Sequence, residues 1–198
     1  MPKKNETPLL SPKFALALQF ANEIHGTQQR KGAGAPYISH LMAVSASVLE
    51  YGGNETEAIA ALLHDAAEDC GGRPMLETVR VMFGEAVAEI VESCTDAMTE
   101  PKPAWRPRKE AYVSHLAAAS PSVKLVAGCD KLHNLQTTLR DMRAGQPANY
   151  WARFTAGAES QAWYYSACGK ALAGSPVAAD FERAYAEFLA ILRERNDL

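Results

Sequence analysis

The chain of 198 residues contains no long apolar segment and few cysteines, and both absences limit where the protein can work. No apolar run approaches the ~20 residues that a membrane-spanning helix needs. The first residues, MPKKNETPLLSP, include two lysines but no apolar stretch behind them, so they do not resemble a secretory signal. The four cysteines form no CxxC pair and are expected to be reduced thiols, not a disulfide framework. We therefore expect a cytoplasmic protein.

Strong net charge of either sign is also missing. The formal net charge is −3, which gives no reason to expect binding to nucleic acid or to a membrane. An anionic small molecule can still bind, because a basic pocket can lie within an acidic surface. The length, with 47% hydrophobic and 22% charged residues, fits one globular domain. The sequence contains no repeats and no long low-complexity tract, so we expect one domain over residues 12–198. Residues 1–11 show little periodicity and are expected to form a frayed arm.

Sustained period-two alternation is absent, so the sequence predicts no strands and an all-α fold. Apolar residues at helical spacing, between glycine and proline breaks such as residues 32–36, predict the helices. The predicted helices cover residues 12–28, 38–51, 54 to 68 or 70, 75–83, 85–95, 109–119, 121–143, 150–173 and 179–195. Three prolines and three cations over residues 96–108 predict a mobile loop. Its cations either clamp a polyanionic substrate or only keep the loop soluble, and the sequence favours neither.

The densest group of chemically useful side chains is ALLHDAAED, residues 61–69. Residues three and four apart share a helix face, so Glu68 lies one turn beyond His64 and Asp65, and Asp69 one turn beyond Asp65. Three carboxylates near the negative end of a helix repel one another, and a cation would stabilise them. Imidazole beside carboxylates suits manganese, iron or zinc better than calcium. The candidates for further ligands elsewhere in the chain are His25, His40, His115, His133, Asp96 and Asp130.

The order of these residues resembles the HD-domain superfamily, whose ligand set has the form H…HD…D. The finer resemblance is to the hydrolase domain of the RelA/SpoT enzymes and to the small alarmone hydrolases, including the metazoan SpoT homologue. Matching segments follow one another in the right order over about residues 14–140. They are HGTQQRK (25–31), PYISH (36–40), ALLHDAAED (61–69), Phe83-Gly84, Thr95-Asp96 and KLVAGCDKLHN (124–134).

The resemblance implies a single-domain helical HD-domain bundle that binds one divalent metal, which in this family is usually manganese. The implied metal ligands are His40, His64, Asp65 and Asp130. A metal at such a site lowers the pKa of water and polarises the phosphoryl group under attack. Glu68 and Asp69 match the acidic pair of the family, which positions or deprotonates the attacking water and assists the leaving group.

The resemblance also implies a small-molecule purine nucleotide as substrate. Arg30 and Lys31 match the basic pair near the nucleobase and the 5′-phosphates, and Asn134 and Thr137 match positions that contact the sugar and phosphates. The family reaction hydrolyses the 3′-pyrophosphate of ppGpp or pppGpp to pyrophosphate and GDP or GTP, and (p)ppApp is a closely related candidate substrate. Two different functions also fit these residues: a nucleotide phosphomonoesterase, acting on a deoxynucleotide or the 2′-phosphate of NADPH, and a non-catalytic nucleotide-binding protein. The sequence does not indicate the oligomeric state.

Some residues depart from the family pattern or stay outside it. Leu41 stands where the family commonly has proline, and Cys129 where it has alanine. His133 is interpreted as a structural residue and His115 as a surface residue. His25 is interpreted either as a structural residue or as one that supports the metal ligands from behind. The aromatic residues of segments 151–154 and 163–165 are expected to pack on the core, with nucleobase support as the less favoured interpretation.

Overall fold

The computed structural model describes residues 9–31, 34–99, 101–145 and 150–198. In these ranges the chain forms α-helices and no strand, apart from one isolated β-bridge between Gln29 and Pro36, which confirms the all-α prediction. Most of the predicted arm, residues 1–8, and two residues of the predicted loop 32–36 lie outside these ranges. None of the described helices is both long and apolar enough to cross a membrane.

Ten α-helices and one short 3₁₀ helix are found in the described ranges. They are α1 (Pro12–Ile24), α2 (Ile38–Glu50), α3 (Glu55–Leu63), α4 (Ala66–Asp69), α5 (Gly72–Phe83), α6 (Glu85–Cys94), α7 (Trp105–Ala118), α8 (Pro121–Arg143), the 3₁₀ helix (Tyr150–Arg153), α9 (Ala158–Ala171) and α10 (Ala178–Glu194).

Local capping explains where several helices begin. The Ser11 hydroxyl accepts a hydrogen bond from the Lys13 N–H, and a proline follows Ser11 at the first position of α1. The Ser120 hydroxyl caps α8 similarly, again with proline next. Asn54 and Glu57 form a capping box at the start of α3, each side chain accepting from the other's backbone N–H. These starts agree with the sequence prediction to within one residue.

Two other helices begin earlier than predicted, α5 at Gly72 and α7 at Trp105. Each tolerates a proline, Pro74 or Pro107, because it lies in the first turn, where a backbone N–H has no partner within the helix. The prediction of a loop over residues 96–108 is therefore wrong at the C-terminal limit. The connection before α7 stops at residue 104, and the last four residues of the predicted loop are helical.

Two predicted helices are interrupted. The helix predicted from residue 54 is interrupted at His64 and Asp65, where His64 Nδ1 hydrogen-bonds the Ala61 carbonyl at 2.8 Å. The helix predicted over residues 150–173 is a 3₁₀ turn followed by α9, with extended backbone at Gly157 between them. α1 also ends at Ile24 instead of residue 28, since the chain then pairs with residues 35–37.

The long helix α8 lies at the centre of the molecule and packs against α2, α3, α6, α9 and α10. Gly128 allows a close approach on the side of α10, because a Cβ atom there would overlap the side chain of Val177, just before α10. Leu41 and Cys129, the two departures from the family pattern, are almost fully buried in the core. α8 therefore holds Asp130 and Asn134 rigidly beside the helices that carry the other predicted site residues.

Candidate metal centre and its cavity

The four predicted metal ligands come together from three parts of the chain. His40 lies in α2, His64 and Asp65 lie between α3 and α4, and Asp130 lies in α8. His40 Nε2 is 3.1 Å from Asp130 Oδ1 and 3.7 Å from Asp65 Oδ2, and His64 Nε2 is 3.0 Å from Asp65 Oδ2 and 3.5 Å from Asp130 Oδ1. His64 and Asp65 are adjacent in the chain at the break after Leu63, and the two side chains present their ligand atoms to the same point.

The hydrogen bonds of both imidazole rings leave one nitrogen of each ring facing this point. His64 Nδ1 donates to the Ala61 carbonyl at 2.8 Å, and His40 Nδ1 donates to His133 Nδ1 at 2.8 Å, tautomers that we assign from the hydrogen-bond network. The Nε2 atoms of His40 and His64 are buried and have no hydrogen-bond partner. His40, His64 and Asp65 form a compact group of possible ligands, and Asp130 lies beside both imidazoles. Two unpartnered imidazole nitrogens with two carboxylates are a donor set that fits manganese, iron or zinc.

Neighbouring groups keep both carboxylates ionised. Burial acts to raise the pKa of Asp130, but the Lys131 ammonium and the imidazoles lower it well below its ordinary value. Its oxygens accept from Lys131 Nζ and from Asn134 Nδ2, each at 2.6 Å. Burial also acts to raise the pKa of Asp65, but the adjacent His64 lowers it strongly. The Tyr37 hydroxyl donates to Asp65 Oδ2 at 2.6 Å.

The two imidazoles differ in their affinity for a proton. Burial lowers the pKa of His40 below its ordinary value, although Asp130 opposes the shift. Burial acts on His64 in the same direction, but Asp65 and Asp130 together raise its pKa well above the ordinary value. A proton at His64 and a metal ion are therefore alternative ways to neutralise the two carboxylates.

Glu68 and Asp69, the predicted acidic pair, lie on α4 and line a cavity of about 500 Å³ that opens from Asp65. Burial raises the pKa of Glu68, and the charges of Asp96 and Asp65 add to the shift, while Lys102 opposes it. Lys102 Nζ is 3.0 Å from Glu68 Oε1 and 3.6 Å from Asp69 Oδ1. A carboxylate with a raised pKa beside a cavity suits the acceptance of a proton.

The predicted substrate-binding residues line the same cavity: Arg30, Lys31, Asn134 and Thr137. Arg30 Nη2 donates to Asn134 Oδ1 at 2.9 Å, and Asn134 in turn donates to Asp130. The orientation of the guanidinium group is thus linked to a residue of the metal centre by two consecutive hydrogen bonds.

Four cations also line the cavity and form what we call the cationic wall: Lys102, Arg108, Lys109 and Lys131. The sequence suggested a clamp as one of two roles for Lys102 and Arg108, and it missed Lys109 and Lys131. Arg108 and Lys109 both pair with Asp96, which excludes Asp96 from the metal centre where it had been a candidate ligand. Burial and the neighbouring Lys131 lower the pKa of Lys109. Cations this close repel one another, and a bound anion would offset the repulsion. The proximity of α7 and α8 was not visible in the sequence.

The remaining predicted residues have the following positions. His115 is exposed on α7, as predicted, and Arg106 stacks on Trp163, with its guanidinium carbon 3.4 Å from the ring centroid. Of the cations predicted in the loop, Lys102 and Arg108 line the cavity, whereas Arg106 does not. Tyr164 and Tyr165 are buried in the core, as favoured, and their edges also line the cavity.

Comparison with known proteins agrees with this geometry. The family model described as HD domain matches residues 17–154. A relative from Xenopus tropicalis, named guanosine-3′,5′-bis(diphosphate) 3′-pyrophosphohydrolase MESH1, is 37% identical over 137 residues, which cover 68% of this chain and 72% of the relative. The human protein of the same name is 40% identical over 124 residues, covering 61% of this chain and 66% of the relative.

Two solved structures have the same fold. The first, described as a metazoan ortholog of SpoT that hydrolyses ppGpp and plays a role in starvation responses, has a TM-score of 0.70 at 28% identity. The match covers 98% of this chain and 100% of the chain in that structure. The second, a protein of Listeria monocytogenes, has a TM-score of 0.66 at 25% identity. The match covers 78% of this chain and 99% of the Listeria chain. The family match extends over more than two thirds of the sequence, and the chain belongs to the HD domain family.

Proposed function

We propose that this protein is a metal-dependent hydrolase that removes the 3′-pyrophosphate of a purine alarmone, (p)ppGpp or (p)ppApp. The products are GDP or GTP, or the adenine equivalents, and pyrophosphate. The observation that carries the proposal is the placement of the two-imidazole, two-carboxylate cluster at the edge of a cavity that is lined by both an acidic pair and four cations. The names of the MESH1 relatives support the choice of substrate.

His40, His64, Asp65 and Asp130 would hold one divalent metal, which we propose is manganese. When bound, the metal supplies Lewis-acid chemistry toward a phosphoryl group. Asn134 and Lys131 support this role by fixing the Asp130 carboxylate through two hydrogen bonds.

Glu68 and Asp69 would handle the protons of the reaction. Glu68 accepts a proton from the attacking water as the oxygen bonds to the phosphorus that carries the ribose 3′-oxygen. The bond from that phosphorus to the 3′-oxygen breaks, and the acidic pair returns a proton to it, so that the ribose leaves with a 3′-hydroxyl group. The raised pKa of Glu68 suits the first step, because a more basic carboxylate accepts a proton more readily.

The two walls of the cavity would bind different parts of the nucleotide. The pyrophosphate carries several negative charges and would lie against Lys102, Arg108, Lys109 and Lys131. Arg30 and Lys31 would contact the base and the 5′-phosphates, with Asn134 and Thr137 near the sugar. A cavity of about 500 Å³ is within the usual range for small-molecule sites, roughly 300–1,000 Å³.

We also propose that the protein works in the cytoplasm on a small molecule, without nucleic-acid or membrane partners. All four cysteines are free, and three of them are buried, which agrees with a reducing compartment. The four cations of the wall line one cavity and are compensated by neighbouring carboxylates, an arrangement suited to a compact anion.

The test is product identification by chromatography after incubation with manganese and a panel that contains ppGpp, ppApp, deoxynucleotides and NADPH. Pyrophosphate with GDP or ADP as products would support the proposal. Orthophosphate as the sole inorganic product would refute it in favour of a phosphomonoesterase. Binding without turnover of any nucleotide would refute it in favour of a non-catalytic protein.

Two variants test the assigned roles. Asp65→Ala should lose both metal binding and activity, because it removes a ligand. Glu68→Gln should keep metal binding and lose about 10²- to 10⁴-fold in kcat, the usual range for a general acid or base. Glu110→Gln, the same change at an exposed residue of α7, is the matched control and should behave like the parent. Parent-like turnover by both site variants would contradict the assigned roles.

A further inference from the structure

The histidine and glutamine of the segment HGTQQRK have no part in the function proposed above, although both lie at the edge of the site. His25 follows the last residue of α1, and Gln28 lies in the short turn that leads to Arg30. We infer that His25 and Gln28 are positioning residues that fix the orientation of the Asp69 carboxylate. The inference rests on the proposed hydrolase function, in which Asp69 belongs to the acidic pair.

A continuous chain of hydrogen bonds connects the three residues. Gln28 Nε2 donates to Asp69 Oδ2 at 2.7 Å, and Gln28 Oε1 accepts from His25 Nδ1 at 2.6 Å. His25 is only 3% exposed, whereas the Asp69 side chain is 26% exposed. The chain therefore runs from a fixed, buried ring to a carboxylate that faces the cavity and would otherwise rotate.

The direction of these bonds depends on His25. A side-chain amide presents NH₂ on one side and a carbonyl oxygen on the other, and a flipped Gln28 would turn its oxygen toward Asp69. Two acceptors would then face each other at hydrogen-bond distance. An N–H at His25 Nδ1, the tautomer that we assign from this network, opposes the flip, because it holds the Gln28 oxygen on its own side. The sulfur of Cys70 is also near this nitrogen, but at 3.5 Å it is a weaker partner.

The backbone around Gln28 is also held. Its N–H donates to the His25 carbonyl at 2.9 Å, and its carbonyl accepts from the Tyr37 N–H at 3.0 Å. The His25 ring stacks on the Tyr37 ring, with centroids 5.2 Å apart and planes at 25°, and the Tyr37 hydroxyl binds Asp65. One buried imidazole thus contacts both Gln28, which bonds Asp69, and Tyr37, which bonds Asp65. These contacts hold Gln28 in place beside Asp69.

Asp69 has a second partner that pulls it in another direction. Lys102 Nζ lies 3.6 Å from Asp69 Oδ1, on a segment before α7 that is far from α1 in the sequence. With Gln28 holding Oδ2, the other oxygen is left to face Lys102 and the cavity. Without Gln28, the carboxylate on the four-residue helix α4 would be free to rotate toward the lysine, and the geometry for proton transfer would be lost.

The first test is a double-mutant cycle between Gln28→Leu and Asp69→Asn, with kcat, KM and metal affinity measured for each protein. Gln28→Leu removes the hydrogen bond at similar volume, and kcat should fall about 10- to 100-fold, as for loss of a bond to a charged group. KM, metal affinity and the thermal midpoint should stay near the parent values. In the Asp69→Asn background the same change should cost less than twofold, because its partner is already altered. Gln19→Leu, at an exposed position of α1, is the matched control.

The second test concerns His25. His25→Leu should lower kcat as much as Gln28→Leu and should add little to it in the double variant. His25→Asn should recover most of the activity, because the amide nitrogen of asparagine can occupy the place of Nδ1 and donate to Gln28. A purely structural role would not distinguish the leucine variant from the asparagine variant in this way.

The outcomes are separable. Equal losses from Gln28→Leu in the parent and in Asp69→Asn, or an effect on KM or metal affinity alone, would overturn the inference. A parent that hydrolyses none of the alarmones would instead refute the proposed function. In that case the side-chain amide resonances of Gln28 in ¹⁵N-correlated NMR spectra still decide the matter. They should shift in both Asp69→Asn and His25→Leu, and unchanged resonances would overturn the inference.

Discussion

Replacing His133 by leucine should weaken metal binding without unfolding the protein. His133 Nδ1 accepts a hydrogen bond from His40 Nδ1 at 2.8 Å, and this bond turns the unprotonated Nε2 of His40 toward the carboxylates. Burial and the charges of His40 and Arg30 lower the pKa of His133 to about 4, so the ring is neutral and able to accept at neutral pH. The structure thus assigns His133 a specific role, where the sequence indicated only a structural one.

The size of the effect follows from the burial of His40, which is 1% exposed. With leucine at position 133, His40 Nδ1 would have no partner, and a buried unsatisfied donor costs about 1–3 kcal/mol. Loss of the outer partner of a metal-binding histidine typically weakens metal affinity by about 10- to 100-fold, which corresponds to about 1.4–2.8 kcal/mol. We expect a change of this size in the dissociation constant for Mn²⁺, measured by isothermal titration calorimetry.

Two further variants make the experiment decisive. His133→Asn keeps an acceptor oxygen in reach of His40 and should recover most of the affinity. His115→Leu makes the same substitution at the exposed histidine of α7 and should leave metal binding unchanged. The reasoning is refuted if His133→Leu binds manganese as tightly as the parent, or if His133→Asn is as weak as His133→Leu.

Three other substitutions have expected outcomes. Gly128→Ala should lower the free energy of unfolding by about 1–3 kcal/mol in urea titrations, because the added methyl group overpacks a tight helix approach; an unchanged midpoint would contradict the packing described. Lys102→Met should move the acidic limb of the pH–kcat profile to higher pH. The lysine opposes the raised pKa of Glu68, and without it the ionised base is lost at a higher pH as the solution is acidified; Lys102→Arg should restore the limb. Tyr37→Phe should weaken Mn²⁺ binding about threefold to tenfold through loss of the hydrogen bond to Asp65, and parent-like calorimetry would argue against that contribution.

The residues that the sequence alone identified carry local signals. Helical periodicity, capping residues and proline positions determined the all-α class and most helix limits, since these depend on contacts within a few residues. The spacing of His64, Asp65, Glu68 and Asp69 on one segment indicated a cation site for the same reason. His40 and Asp130 were assigned to it only through the family resemblance, because nothing in their own surroundings distinguishes them from ordinary polar residues.

Tertiary structure decided what depends on distant parts of the chain. The helix is interrupted at His64, whose imidazole bonds the Ala61 carbonyl, and helical propensity does not predict this interruption. Asp96 looked like a possible ligand until α7 placed two cations beside it. The cationic wall joins residues of α7, α8 and the segment before α7, and the contact from Gln28 to Asp69 spans 41 positions. Such contacts are set by helix packing, which one-dimensional spacing does not contain.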